Sequence, residues 1–498
     1  MALSRRTVLE AGSASLAGCA CAISGCGAPN IATGRSSFTG GYSPADDMRL
    51  GADEHPNILE AFGGEYQNAR LQQYVDTVGR RLAAHTEYQQ FSYRFTLLNS
   101  PIVNAFALPG GYVYVSRGLL TLASNEAELA GVLAHELGHV NARHSAERMG
   151  AQQLASIGVI ASAIGASLLG LPGDSVARIG QTVATLAIQS YSREQELESD
   201  ILGIRYMSRA GYDPDAMVSF LASMREQSQI EARSKGLPAG SVDQYNLMAT
   251  HPRTVDRVRQ AQAAAQEARP VNARIGRDDY LSLIDGMLFG DDPSQGFISG
   301  QRFVHPQMRF EFTAPPGFRL QNSPEQVVAS DSRGAAVVFD IVQMQRAGNP
   351  GAYLQGEWAP RARLQDLEAI TVNGLRAATA RTTAQAQGAA VDVRLVALER
   401  DAGSVYRLMF LSPRARAGAL EEEFRRTTYS FRTLNAAQAA EVRPLRLQVR
   451  AARPGERLDT LAAALPYGAL NADWFRVLND LEPGAPLPLG QPLKIVVG

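Results

Sequence analysis

Apolar residues recur at helical spacing over residues 71–84, where Leu71, Tyr74, Val75, Val78 and Leu82 share one face. The pattern then changes to strand-like runs at 91–98, 102–108 and 112–116. The last two flank Pro109-Gly110-Gly111, which predicts an antiparallel hairpin. A long helix is expected from about Glu126, capped by Ser124 or Asn125, with acidic residues in its first turn as the helix dipole favours. Leu129, Val132, Leu133, Leu137 and Val140 give that helix a buried stripe. A charge-rich helix is predicted over 193–209, stopping at Gly211, and Asp213-Pro214 has the cap-then-proline signature of another start. Between these helices, residues 154–171 carry no charge and are rich in Ala, Gly and Ser. Their length would allow a membrane span, but their low Leu and Phe content predicts a buried or surface-associated helical segment.

Residues 43–269 thus read as one unit, mainly helical with a small antiparallel sheet. Residues 270–300 read as a linker carrying a short helix at 280–288. From 303 to 434 the texture changes: runs at 337–342, 390–398 and 405–411 look like strands between Gly- and Ala-rich turns, and a helix is expected near Leu420. That is an α+β domain in which no cluster of catalytic residue types stands out, and a final module spans 445–498. No repeat of 20 to 50 residues is visible, which argues against a solenoid. The fold class expected for the chain is α+β.

At 498 residues there is room for about three domains. The apolar fraction of 45% is that of a soluble globular chain, and a net charge of −1 gives no support to nucleic acid as a partner. The three cysteines, Cys19, Cys21 and Cys26, all lie in the first thirty residues, so no disulfide framework supports the fold. Ser4-Arg5-Arg6-Thr7-Val8-Leu9 resembles a twin-arginine signal, followed by a weakly apolar stretch. Leu16-Ala17-Gly18-Cys19 and Ile23-Ser24-Gly25-Cys26 resemble lipoboxes. Cys26 is the expected lipidation site, because polar sequence starts directly after it and no thiol is left over; Cys19 is the alternative. Residues 1–26 are therefore expected to direct export to the periplasm, with a lipid as membrane anchor.

His135-Glu136-Leu137-Gly138-His139 carries the candidate chemistry. At i and i+4 the two imidazoles project from one face of a helix, one turn apart, where both can bind one Zn²⁺ per chain. Glu136 sits beside that face, within reach of a water, as a general base. A catalytic zinc needs a third protein ligand and an open position. The 193–209 helix offers Glu196 as that ligand and Asp200, one turn on, as acceptor for the free ring N–H of a liganding histidine. Glu194 and Glu198 each lie two positions from Glu196, about 200° around the helix, so neither replaces it without rotating the element.

Together these residues resemble the zinc metallopeptidase family (gluzincins) that includes HtpX and the CAAX prenyl proteases, most closely its periplasmic, BepA-like branch. The resemblance covers about residues 51–266. It rests on Asn104-Ala105-Phe106-Ala107-Leu108-Pro109-Gly110-Gly111, Ser116-Arg117-Gly118-Leu119-Leu120, the His135 helix with Arg143-His144-Ser145, Ser192-Arg193 ahead of Glu196 and Asp200, and His251-Pro252 with Arg257. Ser199 stands where the family usually has Ala. The resemblance implies that Asn104, Ala105, Phe106 and Ala107 form the edge strand on which an extended peptide lies. It also implies that Arg257 or His251 stabilises the oxyanion, and that His251 is a possible fourth metal ligand at rest. His144 is expected as an exposed helix-end residue.

The C-terminal module resembles a degenerate LysM domain, through Pro454-Gly455-Glu456-Arg457-Leu458-Asp459-Thr460-Leu461, Leu478-Asn479 and the run from Pro488 to Ile495. That resemblance implies peptidoglycan as a partner. The function implied is a zinc endopeptidase acting on misfolded or stalled envelope proteins, chiefly outer-membrane ones. The rivals are an assembly factor with a normally shut peptidase site and a peptidoglycan-binding scaffold. The intact Glu136 counts against the scaffold, since a structural metal site has no use for a base.

Overall fold

The computed structural model describes residues 29–149, 191–234, 255–346, 348–386 and 389–498. Cys19, Cys26, His251 and the apolar run at 154–171 lie outside these residues. No helix among the described residues is long and apolar enough to cross a membrane.

The first unit packs helices around a three-stranded sheet. Ser43 and Asp46 form a reciprocal capping box that starts the helix Pro44–Ala61, and Asn68 caps Ala69–Ala83. Strands β1 (Arg94–Leu98), β2 (Ala105–Leu108) and β3 (Tyr112–Ser116) follow, then the helices Arg117–Leu122, Glu126–Ala142, Arg193–Arg209, Asp215–Ser234, Val255–Ala268 and Arg277–Ile284. β2 and β3 form the antiparallel hairpin, with Ala105 opposite Val115 and Leu108 opposite Tyr112. Gly110 and Gly111 turn it at positive φ, and a Cβ on Gly110 would lie 2.4 Å from the Cα of Met48.

The sheet is not purely antiparallel, which corrects the expectation above. Its order is β1-β3-β2, and β1 runs parallel to β3. Residues 99–104 carry the chain past the middle position, so the hairpin returns β3 between the other two strands. Alternation identifies strands but says nothing of their pairing direction. β2 is left at the sheet edge.

Two glycines let the helices Glu126–Ala142 and Arg193–Arg209 approach closely. A Cβ on Gly138 would sit 2.5 Å from Ser199 Oγ and 2.7 Å from its carbonyl oxygen. One on Gly203 would sit 3.1 Å from the His135 nitrogen. Ser199 Oγ donates to the His135 carbonyl at 2.6 Å, tying the two backbones at the contact.

The middle of the chain is a separate pair of sheets. The order β10-β11-β12-β13-β9-β8-β7 joins Gln365–Val372, Leu375–Ala386, Ala389–Asp401, Ser404–Pro413, Ala336–Gln343, Gln326–Ser330 and Arg319–Asn322. A second sheet, β14-β6-β5-β4, joins Arg432–Thr433, Phe310–Thr313, Arg302–His305 and Phe297–Ser299. Phe303, Phe310, Phe312, Phe339, Phe410 and Phe431 are buried in one apolar cluster of this unit, and the helix Ala417–Ser430 contributes Leu420 and Phe424 to it. β4 begins at Phe297, inside the segment expected to be linker.

The rest of that segment and the C-terminal module pack on the first unit. β15 (Arg446–Ala451) and β16 (Pro492–Val497) enclose the helices Leu458–Leu461 and Asn471–Leu478. Leu447, Trp474, Phe475, Ile495 and Val496 share one core with Leu119, Leu129 and Leu133. The fully buried Lys494 reaches across, donating to the carbonyls of Thr121, Leu122 and Ala123 at 2.9, 3.0 and 2.9 Å. It therefore caps the C-terminus of Arg117–Leu122, where cations are favoured.

Two measurements of stability follow from this packing. Lys494→Met leaves three buried carbonyls without their donor and should cost about 2–3 kcal/mol in denaturant unfolding of the full chain. An unchanged midpoint would mean that the module docks by apolar contact alone. Gly138→Ala forces backbone apart at Ser199 and should cost about 1–2 kcal/mol, despite the better helix propensity of Ala. A gain in stability would show that the helix pair has slack.

Candidate metal centre

The helix Glu126–Ala142 is fixed at its start by partners distant in sequence. Asn125 Oδ1 accepts from the Glu128 N–H, while the N–H groups of Glu126 and Ala127 donate to the carbonyls of Gly276 and Ile275. These bonds satisfy donors that a helix N-terminus otherwise leaves open. The buried Glu126 carboxylate receives Arg274 Nε at 2.6 Å, Arg274 Nη2 at 2.9 Å, and the hydroxyls of Tyr74 and Tyr212 at 2.8 Å each. Burial pushes its pKa up, but these four donors outweigh burial and hold it below the usual carboxylate range. Glu128 accepts from the Ser124 N–H and from Ser219 Oγ, and burial raises its pKa even with Lys494 nearby.

One face of this helix presents His135 and His139 to the buried Glu196 on Arg193–Arg209. The two Nε2 atoms lie 3.1 Å apart. Glu196 Oε1 is 3.4 Å from His139 Nε2, and Oε2 is 3.6 Å from His135 Nε2. One donor atom from each residue falls within 4.8 Å of the others, so the three side chains could hold one metal ion. The donor set suits zinc: two imidazoles and a carboxylate, with no thiol. Burial holds the His139 pKa well below its ordinary value, so its neutral, metal-binding form is the stable one. Asp200 Oδ1 lies 2.9 Å from His135 Nδ1. With the proton on Nδ1, donating to that carboxylate, the lone pair of Nε2 faces the cluster. Glu136 is buried on the same helix.

His139 is held differently. The ring of Tyr191 stacks on it, with centroids 3.8 Å apart and planes 17° from parallel. Its Nδ1 is 2.8 Å from Nδ1 of His144, whose Nε2 is 3.1 Å from Glu198 Oε2. Arg35 closes the chain with a two-point contact to Glu198, at 2.8 and 2.6 Å. Burial pushes the Glu198 carboxyl up, yet bonds from His144 and Arg35 win and keep its pKa low.

His144 is therefore fully buried, not the exposed helix-end residue expected. The helix stops at Ala142 because Arg143 adopts a left-handed conformation, φ 61° and ψ 36°, and the turn brings His144 back beside His139. Arg143 is held there by Asp47 and the Tyr42 carbonyl, both at 2.6 Å. A non-glycine residue in this conformation leaves no sequence signal. Tyr191 and Arg35 carry no sequence signal for a related reason, and Glu198, set aside above as a rival to Glu196, has a different role, since all three act through contacts between distant segments.

The remaining candidate residues are placed in part. Asn104 immediately precedes β2, and its buried Oδ1 has no hydrogen-bond partner among the described residues. Ala105, Phe106 and Ala107 lie on β2 at the sheet edge. Position 257 falls on the helix Val255–Ala268, its side chain outside the described part.

Peptidase family M48 matches residues 69–265. The beta-barrel assembly-enhancing protease of Escherichia coli (strain K12) is 30% identical over 244 residues, which is 48% of this chain and 48% of that protein. The protein of the same name from Yersinia pestis is 33% identical over 233 residues, 45% of each chain. The mitochondrial metalloendopeptidase OMA1 of Schizosaccharomyces pombe is 29% identical over 228 residues, 45% of this chain and 62% of that one. The chain thus spans about half the length of the beta-barrel assembly-enhancing proteases it matches. The candidate residues His135, Glu136, His139, Glu196 and Asp200 all fall within the matched span, and the unit that holds them is a peptidase family M48 domain similar to that of the beta-barrel assembly-enhancing proteases.

Proposed function

We propose that the chain is a zinc-dependent endopeptidase of the bacterial cell envelope, acting on misfolded or stalled envelope proteins. The observation that carries this reading is the convergence of His135 Nε2, His139 Nε2 and the Glu196 carboxylate, with Glu136 buried on the histidine helix. When bound, zinc supplies Lewis acidity at the scissile carbonyl and lowers the pKa of a water. His135, His139 and Glu196 are the residues that hold it.

Glu136 takes a proton from the attacking water and delivers it to the leaving amine. Asp200 keeps the proton of His135 on Nδ1 through both transfers. An extended peptide lies along β2, the edge strand of the sheet. Arg257 and His251 complete the oxyanion environment, and His251 occupies the fourth metal position at rest. The name of the bacterial relatives supports substrates connected with outer-membrane β-barrel assembly. Export to the periplasm, with lipidation of Cys26 or Cys19, rests on the N-terminal motifs. The strand–helix–helix–strand order of the C-terminal module supports the LysM-like reading, and with it peptidoglycan as a partner.

The decisive experiment compares metal content with cleavage of unfolded casein. The wild-type chain should carry about one zinc and lose activity to a chelator. Glu136→Gln should keep the metal while losing about 10²–10⁴-fold in rate. His135→Ala, His139→Ala and Glu196→Ala should lose both. Metal loss in Glu136→Gln with retention in Glu196→Ala would overturn the assignment. His251→Ala should retain zinc and raise resting proteolysis. A fall in activity with zinc retained would instead confine His251 to the transition state.

A further inference from the structure

Three groups pack behind His139 that the proposed reaction does not use: His144, Glu198 and Arg35. They come from three separate parts of the chain: the turn after the histidine helix, the helix that carries Glu196, and the N-terminal arm. The direction of their hydrogen bonds is fixed by chemistry. For His139 Nε2 to present a lone pair, its proton must sit on Nδ1. That N–H then donates across 2.8 Å to His144 Nδ1, which must itself be unprotonated. The proton of His144 is thereby placed on Nε2, from which it donates to Glu198 Oε2 at 3.1 Å. The carboxylate at the end of the chain accepts from the Arg35 guanidinium at two points, 2.8 and 2.6 Å. With both rings neutral, the opposite direction would leave a proton on His139 Nε2 and would aim the His144 Nε2 lone pair at a carboxylate oxygen, so only one direction satisfies every atom.

We propose that His144 and Glu198, backed by Arg35, form a positioning relay that holds His139 in its metal-binding tautomer and so sets the zinc affinity of the site. This rests on the zinc reading above. The two histidine ligands are then oriented by unlike devices, His135 by a direct carboxylate and His139 by a carboxylate acting through an imidazole. One helix supplies the three carboxylates that meet the histidines, with Glu196 toward the metal, Asp200 on His135 and Glu198 on His144. The relay also ties the N-terminal arm to the site. Asn30 Nδ2 donates to the Asn141 carbonyl at 2.9 Å on one side of Arg35, and Tyr42 accepts from Arg143 on the other.

The test is zinc affinity of the full chain, measured by competition with a chromogenic chelator. His144→Leu fills the space without an acceptor and should weaken binding about 10–100-fold. His144→Asn places Oδ1 where Nδ1 stood and should recover most of that loss, which a packing role would not do. Glu198→Gln should weaken binding in the wild-type background and add nothing in His144→Leu, because it acts through that ring. The melting temperature of the metal-free proteins checks that each variant folds. Should His144→Leu not fold, wild-type zinc affinity in Glu198→Gln alone would overturn the relay. Wild-type affinity in a folded His144→Leu, or an equal effect of Glu198→Gln in both backgrounds, would overturn the relay. A wild-type chain that binds no zinc would instead overturn the reading on which it rests.

Discussion

The close approach of two helices at Gly138 and Ser199 is the contact on which the site depends. Ordinary helix pairs stand about 8–10 Å apart, with side chains interleaved between them. Here Gly138 and Gly203 each remove a side chain from the interface, on opposite helices, Gly138 against Ser199 and Gly203 against the backbone of Ala134 and His135. The short Glu196 side chain can therefore reach both imidazoles, and Asp200 can reach His135, with no loop intervening. Ser199 adds a hydrogen bond to the His135 carbonyl, which fixes the rotation of one helix against the other. In a helix pair with a fixed rotation, the four-residue spacing of Glu196 and Asp200 becomes a fixed geometry around the histidines.

That helix pair needs anchorage, and much of it comes from sequence far away. Glu126 is clamped by Arg274, Tyr74 and Tyr212, and the backbone at 275 and 276 caps the helix start. Lys494 reaches from the last strand to the turn just ahead of it. Burial pulls the Lys494 pKa down to about 7, and the three carbonyls at a helix C-terminus accept the hydrogen bonds it would otherwise give to water. The C-terminal module is accordingly part of the scaffold that holds the metal helices. The middle unit, by contrast, keeps its aromatic core to itself.

Local features of the sequence carried a great deal. Helix starts were legible at Asn125 and Asp213-Pro214, and the hairpin at Pro109-Gly110-Gly111, because capping and turn chemistry act between residues a few positions apart. The two i, i+4 pairs, His135 with His139 and Glu196 with Asp200, were legible for the same reason: helical periodicity alone puts each pair on one face. What these pairs could not declare was that their two faces meet.

By itself, then, the sequence determined the element types around the site, the candidate ligands and the class of chemistry, all of which depend on short-range spacing and residue type. Tertiary structure alone decided the parallel pairing of β1 with β3, the docking of Lys494, and the burial of His144 between His139 and Glu198. Each of these joins segments separated by a reversal of the chain, and the direction of a reversal is set by packing. Arg143 shows this most clearly. Its left-handed conformation turns His144 inward, and Asp47 and the Tyr42 carbonyl, about a hundred residues away, hold it there.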